Sequence, residues 1–183
     1  SNLDALAPCN IPAVMGFYTM SPEGEGTLNP EFCTEHKTET VDGVQTATFK
    51  INPKAAFNDG TPIDWRVFET MWKFNNAENP DVVANSTDGY DQIESVTAGE
   101  SDKQAVVTFK QPFAWWQALF NQFMHPAVSD PQTFNEGYLK NPHPEWGTGP
   151  FKVDTFDYNG GTVTFVPNEK WWGEKPKLDK VTY

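Results

Sequence analysis

The chain has 183 residues, enough for one domain or for a domain and part of another. Its net charge of −12, from 25 acidic and 13 basic residues, repels nucleic acid and anionic membrane surfaces, so no nucleic-acid partner is expected. No run of residues approaches the roughly 20 apolar residues of a membrane span, and no signal peptide is visible. Frequent turn-forming residues, 15 Pro and 13 Gly, favour short strands over a helical bundle.

Residues 1–12 show no hydrophobic periodicity and are predicted to be a leader. Beyond them, alternating polar and apolar residues between turn signals predict strands at 13–20, 28–36, 46–51, 93–96, 105–110, 151–158, 162–167 and 181–183. Helices are predicted at 64–76, 112–123 and 131–138, and the polar stretches 77–91 and 141–144 are predicted loops. The expected fold class is therefore α/β of the mixed α+β kind, with small sheets and short helices.

The segment 57–62, FNDGTP, lies between the strand predicted at 46–51 and the helix predicted at 64–76. Gly60 belongs to a tight turn, where glycine accepts a positive φ without steric cost. Pro62 restricts φ to near the helical value, and the carboxylate of Asp64 can accept hydrogen bonds from the free N–H groups of a first helical turn. The segment therefore predicts a strand, a turn and a capped helix in that order.

Two later segments complete a pattern. Residues 147–153 are GTGPFKV, and residues 168–173, NEKWWG, are followed by KPKLDKV at 175–181. Together with FNDGTP, these segments resemble sequence motifs of the extracellular solute-binding proteins of ABC importers for peptides and nickel. They occur in the family's order and at about its spacing. The resemblance covers roughly residues 13–183, and three matches in order are far more specific than one.

The resemblance implies a type II periplasmic-binding-protein fold, of which this chain holds an excised N-terminal part. Residues 13–128 would form the small subdomain peculiar to the family, and residues 129–183 part of the first ligand lobe. Residues 1–12 would be a leader or part of that lobe. The chain stops inside the strand predicted at 181–183, so the second lobe is expected to be absent.

The resemblance also implies a function. Such proteins capture a solute, here expected to be an oligopeptide, between two lobes and deliver it to the permease subunits of an ABC importer. They are not enzymes and need no cofactor. The chain would be monomeric and extracellular, at the cell surface or in the periplasm, with a lipid anchor on a segment upstream. The alternatives are a secreted polysaccharide-acting enzyme, suggested by seven Trp, or a carbohydrate-binding module, and a structural interaction module.

No motif for catalysis or metal binding is apparent. His36, His125 and His143 lie on separate segments without a second ligand two to four residues away, so no metal site is expected, although nickel-binding relatives leave the question open. The segment 24–26 is acidic where a phosphate-binding loop needs bare N–H groups and a lysine. A glycosidase needs two carboxylates across a cleft, and 25 acidic residues neither exclude nor indicate such a pair.

The two cysteines, Cys9 and Cys33, form an even count, which permits a disulfide in an exported protein. The alternative is two small buried thiols.

Aromatic residues are in surplus. Phe113, Trp116, Phe120 and Phe123 recur at helical spacing within the helix predicted at 112–123, and this stripe is expected to be its core face. Trp115 lies off the stripe and is either a surface residue or a site residue.

Two further residues are candidates for the ligand site. Trp146 stands in a loop immediately before GTGPFKV, where packing is harder to assume. His125 precedes Pro126, and the resemblance implies that this segment contributes to the wall of the ligand cavity. The other interpretation of His125 is a structural histidine with satisfied nitrogens. The candidate ligand-binding residues are thus His125, Trp146 and Trp115.

Overall fold

The computed structural model describes residues 16–23, 26–120 and 123–183. Within these residues the chain forms three antiparallel sheets and two short α-helices, as the predicted mixed fold class requires. No helix in this described part is long and apolar enough to cross a membrane.

A four-stranded antiparallel sheet is the largest of the three sheets. Its strands are β3 (Cys33–Val41), β4 (Val44–Ile51), β5 (Ile93–Ala98) and β6 (Gln104–Phe109), in the order β3-β4-β6-β5. A separate hairpin pairs β1 (Tyr18–Met20) with β2 (Gly26–Leu28). Along β4, Ala47, Phe49 and Ile51 are buried on one face, so the alternation expected of a half-buried strand is present.

The strand predicted at 28–36 is divided in two. β2 ends at Leu28, and β3 begins only at Cys33. Between them the carbonyl of Asn29 accepts hydrogen bonds from the N–H groups of Phe32 and Cys33, at 3.1 and 2.9 Å. The side-chain oxygen of Asn29 also accepts from the N–H of Glu31 at 3.2 Å. These local bonds replace the ladder bonds of a strand, as asparagine side chains commonly do in turns.

The helix predicted at 64–76 is present as α1 (Trp65–Asn75), the first α-helix of the described residues. Asp64 is its N-cap, and the carboxylate accepts from the N–H of Arg66 at 2.9 Å. The helix buries Val67, Phe68 and Met71 and contacts β5 and β6.

The helix predicted at 112–123 is absent from the described part of this stretch, but the residues predicted to face the core are buried or half-buried. The only helical turn in the described part of this stretch is a 3-10 turn, Trp116–Ala118. Leu119 then has an extended backbone and Phe120 a φ of +60°, and both geometries end a helix. Trp116, Phe120 and Phe123 are nevertheless buried, and Phe113 is half-buried. Hydrophobic spacing identified the buried residues, whereas the backbone path depends on the sheet they cover.

The remaining elements are α2 (Pro131–Glu136) and a three-stranded sheet of β7 (Phe151–Asp157), β8 (Thr162–Pro167) and β9 (Val181–Thr182), in the order β7-β8-β9. Val153, Val163 and Phe165 form a small core on this sheet. After β8, Trp172 packs against the larger core: its ring lies 5.3 Å from that of Phe32, and its indole N–H donates to the carbonyl of Glu31 at 2.8 Å.

The FNDGTP turn has the geometry that its sequence predicts. The N–H of Gly60 donates to the carbonyl of Phe57 at 2.9 Å, and the N–H of Phe57 donates to that of Thr61 at 2.8 Å. Gly60 has a φ of +93°, and a Cβ built on it meets nothing within 4 Å. Any penalty for a side chain there is therefore backbone strain alone.

We expect Gly60→Val to lower the free energy of unfolding by roughly 1–3 kcal/mol, because a β-branched residue is strained at this φ. Urea denaturation would measure it. Lys54→Val is the matched control, because Lys54 is exposed and its φ is not positive. Its free energy of unfolding should stay close to the wild-type value. Equal midpoints for the two variants would contradict the strain argument.

Candidate functional site

The three sequence motifs meet at one place in the fold, centred on Asn58. Its backbone N–H donates to the carbonyl of Gly147 at 2.9 Å, and its side-chain amide donates to the carbonyl of Pro144 at 2.8 Å. Its side-chain oxygen accepts from the amide of Asn168 at 2.8 Å. FNDGTP is thus bonded to GTGPFKV and its preceding loop on one side and to NEKWWG on the other. We call this set of contacts the junction.

Further bonds reinforce the junction. The Thr148 hydroxyl donates to the carbonyl of Ala56 at 2.9 Å, and the Lys170 ammonium donates to that of Asn58 at 2.6 Å. The second hydrogen of the Asn168 amide goes to the carbonyl of Gly149 at 2.8 Å. The polar groups that make the motifs recognisable are therefore occupied in holding residues before 128 against residues after 143. The domain boundary at 128 itself remains a prediction.

His125 extends the junction. It is 4% exposed, and its Nε2 lies 3.1 Å from Oδ2 of Asp59. Its Nδ1 accepts a hydrogen bond from the backbone N–H of Ala127 at 3.0 Å. Since Nδ1 accepts, the proton of the neutral ring must sit on Nε2 and point at the Asp59 carboxylate.

Burial dominates the electrostatics of His125. It lowers the pKa of the imidazole below its ordinary value, and the carboxylates of Asp59 and Glu145 offset only part of that effect. Burial would raise the pKa of Asp59, but hydrogen bonds from Thr61 and the nearness of His125 outweigh it, so this pKa is lowered. The pair is accordingly a neutral histidine donating to a carboxylate.

The pH dependence of stability should report this arrangement. Because the folded pKa of His125 lies below the ordinary 6.5, the unfolded chain takes up the proton first as the pH falls. The stability due to neutral His125 is present above that value and is lost as the pH falls toward the folded pKa. We expect His125→Gln to reduce the difference in unfolding free energy between about pH 7 and about pH 5.5, measured in urea.

Asn159→Gln, at an exposed residue that has no titratable group, is the control and should retain the wild-type pH dependence. An unchanged pH dependence in His125→Gln would show that His125 is not held neutral in the fold.

Trp146 stacks with two histidines. The ring of His125 is nearly parallel to its ring, with centroids 5.5 Å apart and planes at 11°, and His143 stacks at 3.7 Å and 4°. Tyr138 meets the indole edge-on at 5.9 Å. The structure therefore brings together two of the three predicted site residues, His125 and Trp146. The contacts of His143 and Tyr138 with Trp146 were not predicted, because His143 lies in a predicted loop and Tyr138 at the end of a predicted helix.

The third predicted residue, Trp115, lies elsewhere. Its side chain is 75% exposed and lines a groove of about 780 Å³. The groove walls come from α1, the loop before β5, the 113–128 segment and the region of α2. Aromatic or apolar residues dominate, including Phe113, Leu119, Met124, Phe134 and Tyr138. Tyr138 lines the groove and also packs on Trp146, so the histidine–tryptophan stack supports one of its walls.

The remaining chemical candidates are sparse. Among the described residues no group of three or more His, Cys, Asp or Glu side chains could hold a metal ion. Cys33 is a buried free thiol whose Sγ donates to the carbonyl of Glu35 at 3.2 Å, and burial raises its pKa to about 12. Cys9 lies outside the described residues, so the Cys9–Cys33 disulfide remains a prediction.

Comparison with known proteins identifies the family. The profile of bacterial extracellular solute-binding proteins, family 5 (Middle), matches residues 27–183. The chain therefore belongs to this family, which confirms the resemblance drawn from the three motifs.

Individual relatives agree with this assignment. The chain is 36% identical over 171 residues to the oligopeptide-binding protein OppA of Mycobacterium tuberculosis, an alignment that covers 91% of the chain and 28% of OppA. The solved periplasmic EDTA-binding protein EppA superposes with a TM-score of 0.84 at 31% identity, over 97% of the chain and 33% of EppA.

Haemophilus influenzae OppA in complex with the peptide RPPGFSPFR has the same fold, with a TM-score of 0.68 at 18% identity over 93% of the chain and 36% of that protein. The chain thus spans about a third or less of the length of these relatives.

Proposed function

We propose that the protein containing this chain binds an oligopeptide outside the cell and delivers it to the permease of an ABC importer. The observation that supports this most strongly is the 36% identity to an oligopeptide-binding protein across 91% of the chain. The groove beside Trp115 provides a suitable surface, because its volume of about 780 Å³ falls in the range of small-ligand sites.

In the proposed mechanism the solute is bound and released, and no covalent bond is made or broken. This chain supplies one wall, a second lobe supplies the other, and hinged closure buries the solute between them. The alternative of a polysaccharide-acting enzyme needs two carboxylates across a cleft. Among the described residues that line the groove, Asp88 is the single carboxylate, so the groove offers that alternative no support.

The three candidate residues take different parts in this proposal. Trp115 contacts the solute directly, since its indole is largely exposed in the groove. His125 and Trp146 act from behind the wall, where both nitrogens of His125 are already bonded within the chain and Trp146 packs on Tyr138. Anchoring by a lipid on an upstream segment, as the family resemblance implies, belongs to the same proposal.

Native mass spectrometry of the full protein, purified without denaturation, tests the function. We expect a co-purified peptide whose removal lowers the melting temperature, since a ligand that binds only the folded state stabilises it. Calorimetry with the released peptide should then restore both binding and stability. A co-purified saccharide or metal complex, with no binding of peptides, would overturn the proposal.

A further inference from the structure

The described lining of the groove carries a single charged side chain. Among the described residues that line it, none is Lys, Arg or His, and the one carboxylate is that of Asp88, which is exposed. The other polar side chains, such as Asn85, Ser86 and Asn135, are neutral. An anionic group entering this groove would lose water and meet no cation, which is strongly unfavourable.

Aromatic surface is the second feature of the groove. Trp115 is 75% exposed, and Phe113 is half-buried beside it in the same lining. Phe134 also lines the groove, and its ring stacks on that of Phe74, with centroids 5.1 Å apart and planes at 4°. Exposed apolar surface in a concave site marks a binding surface, and aromatic rings gain most from aromatic or aliphatic partners.

We propose that this groove binds an aromatic or large apolar side chain of the peptide, and that Asp88 at its rim favours a neighbouring Lys or Arg over Asp or Glu. The inference rests on the proposed function and deepens it by naming the class of peptide. Asp88 attracts a cationic side chain and repels an anionic one at short range, and this chain's own net charge of −12 has the same sign.

Calorimetry on the full protein with the pentapeptides AAFKA, AAFEA and AAAKA tests the inference. We expect AAFKA to bind about tenfold more tightly than either of the others. Trp115→Ala should weaken AAFKA by about tenfold and abolish its advantage over AAAKA, whereas Asp88→Asn should abolish its advantage over AAFEA. Both side chains are exposed, so the melting temperatures should barely change.

Leu178→Ala is the matched control: Leu178 is 60% exposed and does not line the groove, so all three affinities should stay at wild-type values. Peptide binding that is equal for all three sequences, or that is unchanged in Trp115→Ala and Asp88→Asn, would overturn this inference and leave the proposed function intact. Failure of every peptide to bind, together with a non-peptide ligand in the purified protein, would overturn both.

Discussion

Phe49→Ala should lower the free energy of unfolding by about 3–5 kcal/mol, the largest effect expected of a single substitution in this chain. Phe49 is 1% exposed on β4, and its ring lies within 6.0 Å of the rings of Phe68, Trp116 and Phe120. Its removal would leave a cavity between the sheet, α1 and the 113–123 segment, which rigid aromatic neighbours cannot fill. Urea denaturation monitored by tryptophan fluorescence would measure the loss.

Val41→Ala provides the matched control for Phe49. Val41 ends β3 and is 67% exposed, so its truncation should change stability by less than about 0.5 kcal/mol. A loss below about 1 kcal/mol for Phe49→Ala would mean that the aromatic cluster is not the centre of the core.

Asn168→Ala should cost about 2–4 kcal/mol, because it leaves several buried polar groups of the junction without partners. Asn168 is 6% exposed, and its amide donates to Asn58 and to the carbonyl of Gly149 while its oxygen accepts from the N–H of Lys170 at 3.1 Å. Hydrogen exchange should show faster exchange at the backbone N–H of Asn58, which donates across the junction.

The exposed Asn159, in the turn between β7 and β8, is the control for Asn168. Asn159→Ala should leave both stability and exchange at Asn58 near the wild-type values. If Asn168→Ala exchanged as slowly as wild type at Asn58, the junction would not depend on this amide.

The motifs illustrate how far sequence reasoning reached. FNDGTP predicted a turn with positive φ at Gly60 and a cap at Asp64, and both are present, since each depends on backbone sterics and bonds within a few residues. The same residues gave no sign that Asn58 would bond to Pro144, Gly147 and Asn168. Contacts between residues more than 80 positions apart depend on how distant segments of the chain pack.

In the 112–123 stretch, the sequence predicted which side chains are buried but not the backbone conformation. Its hydrophobic spacing correctly identified Trp116, Phe120 and Phe123 as core residues, but the helix inferred from that spacing is absent from the described part of the stretch. The hydrophobic effect favours the burial of large apolar side chains and does not depend on the backbone conformation that presents them. The backbone path is set by the sheet beneath and by bonds to distant residues, such as that from the Phe120 N–H to the Tyr90 hydroxyl at 2.9 Å.

By itself, the sequence determined the mixed fold class and the capped helix, because short-range sterics and hydrophobic periodicity act within one segment. The resemblance of three motifs in order indicated the family. Only the tertiary structure decided the chemistry of the site. It set the protonated nitrogen of His125 through Asp59 and Ala127, stacked Trp146 with two histidines, and put Trp115 in a groove whose described lining has no Lys, Arg or His. Each of these properties depends on which distant groups share a buried space, and folding alone brings those groups together.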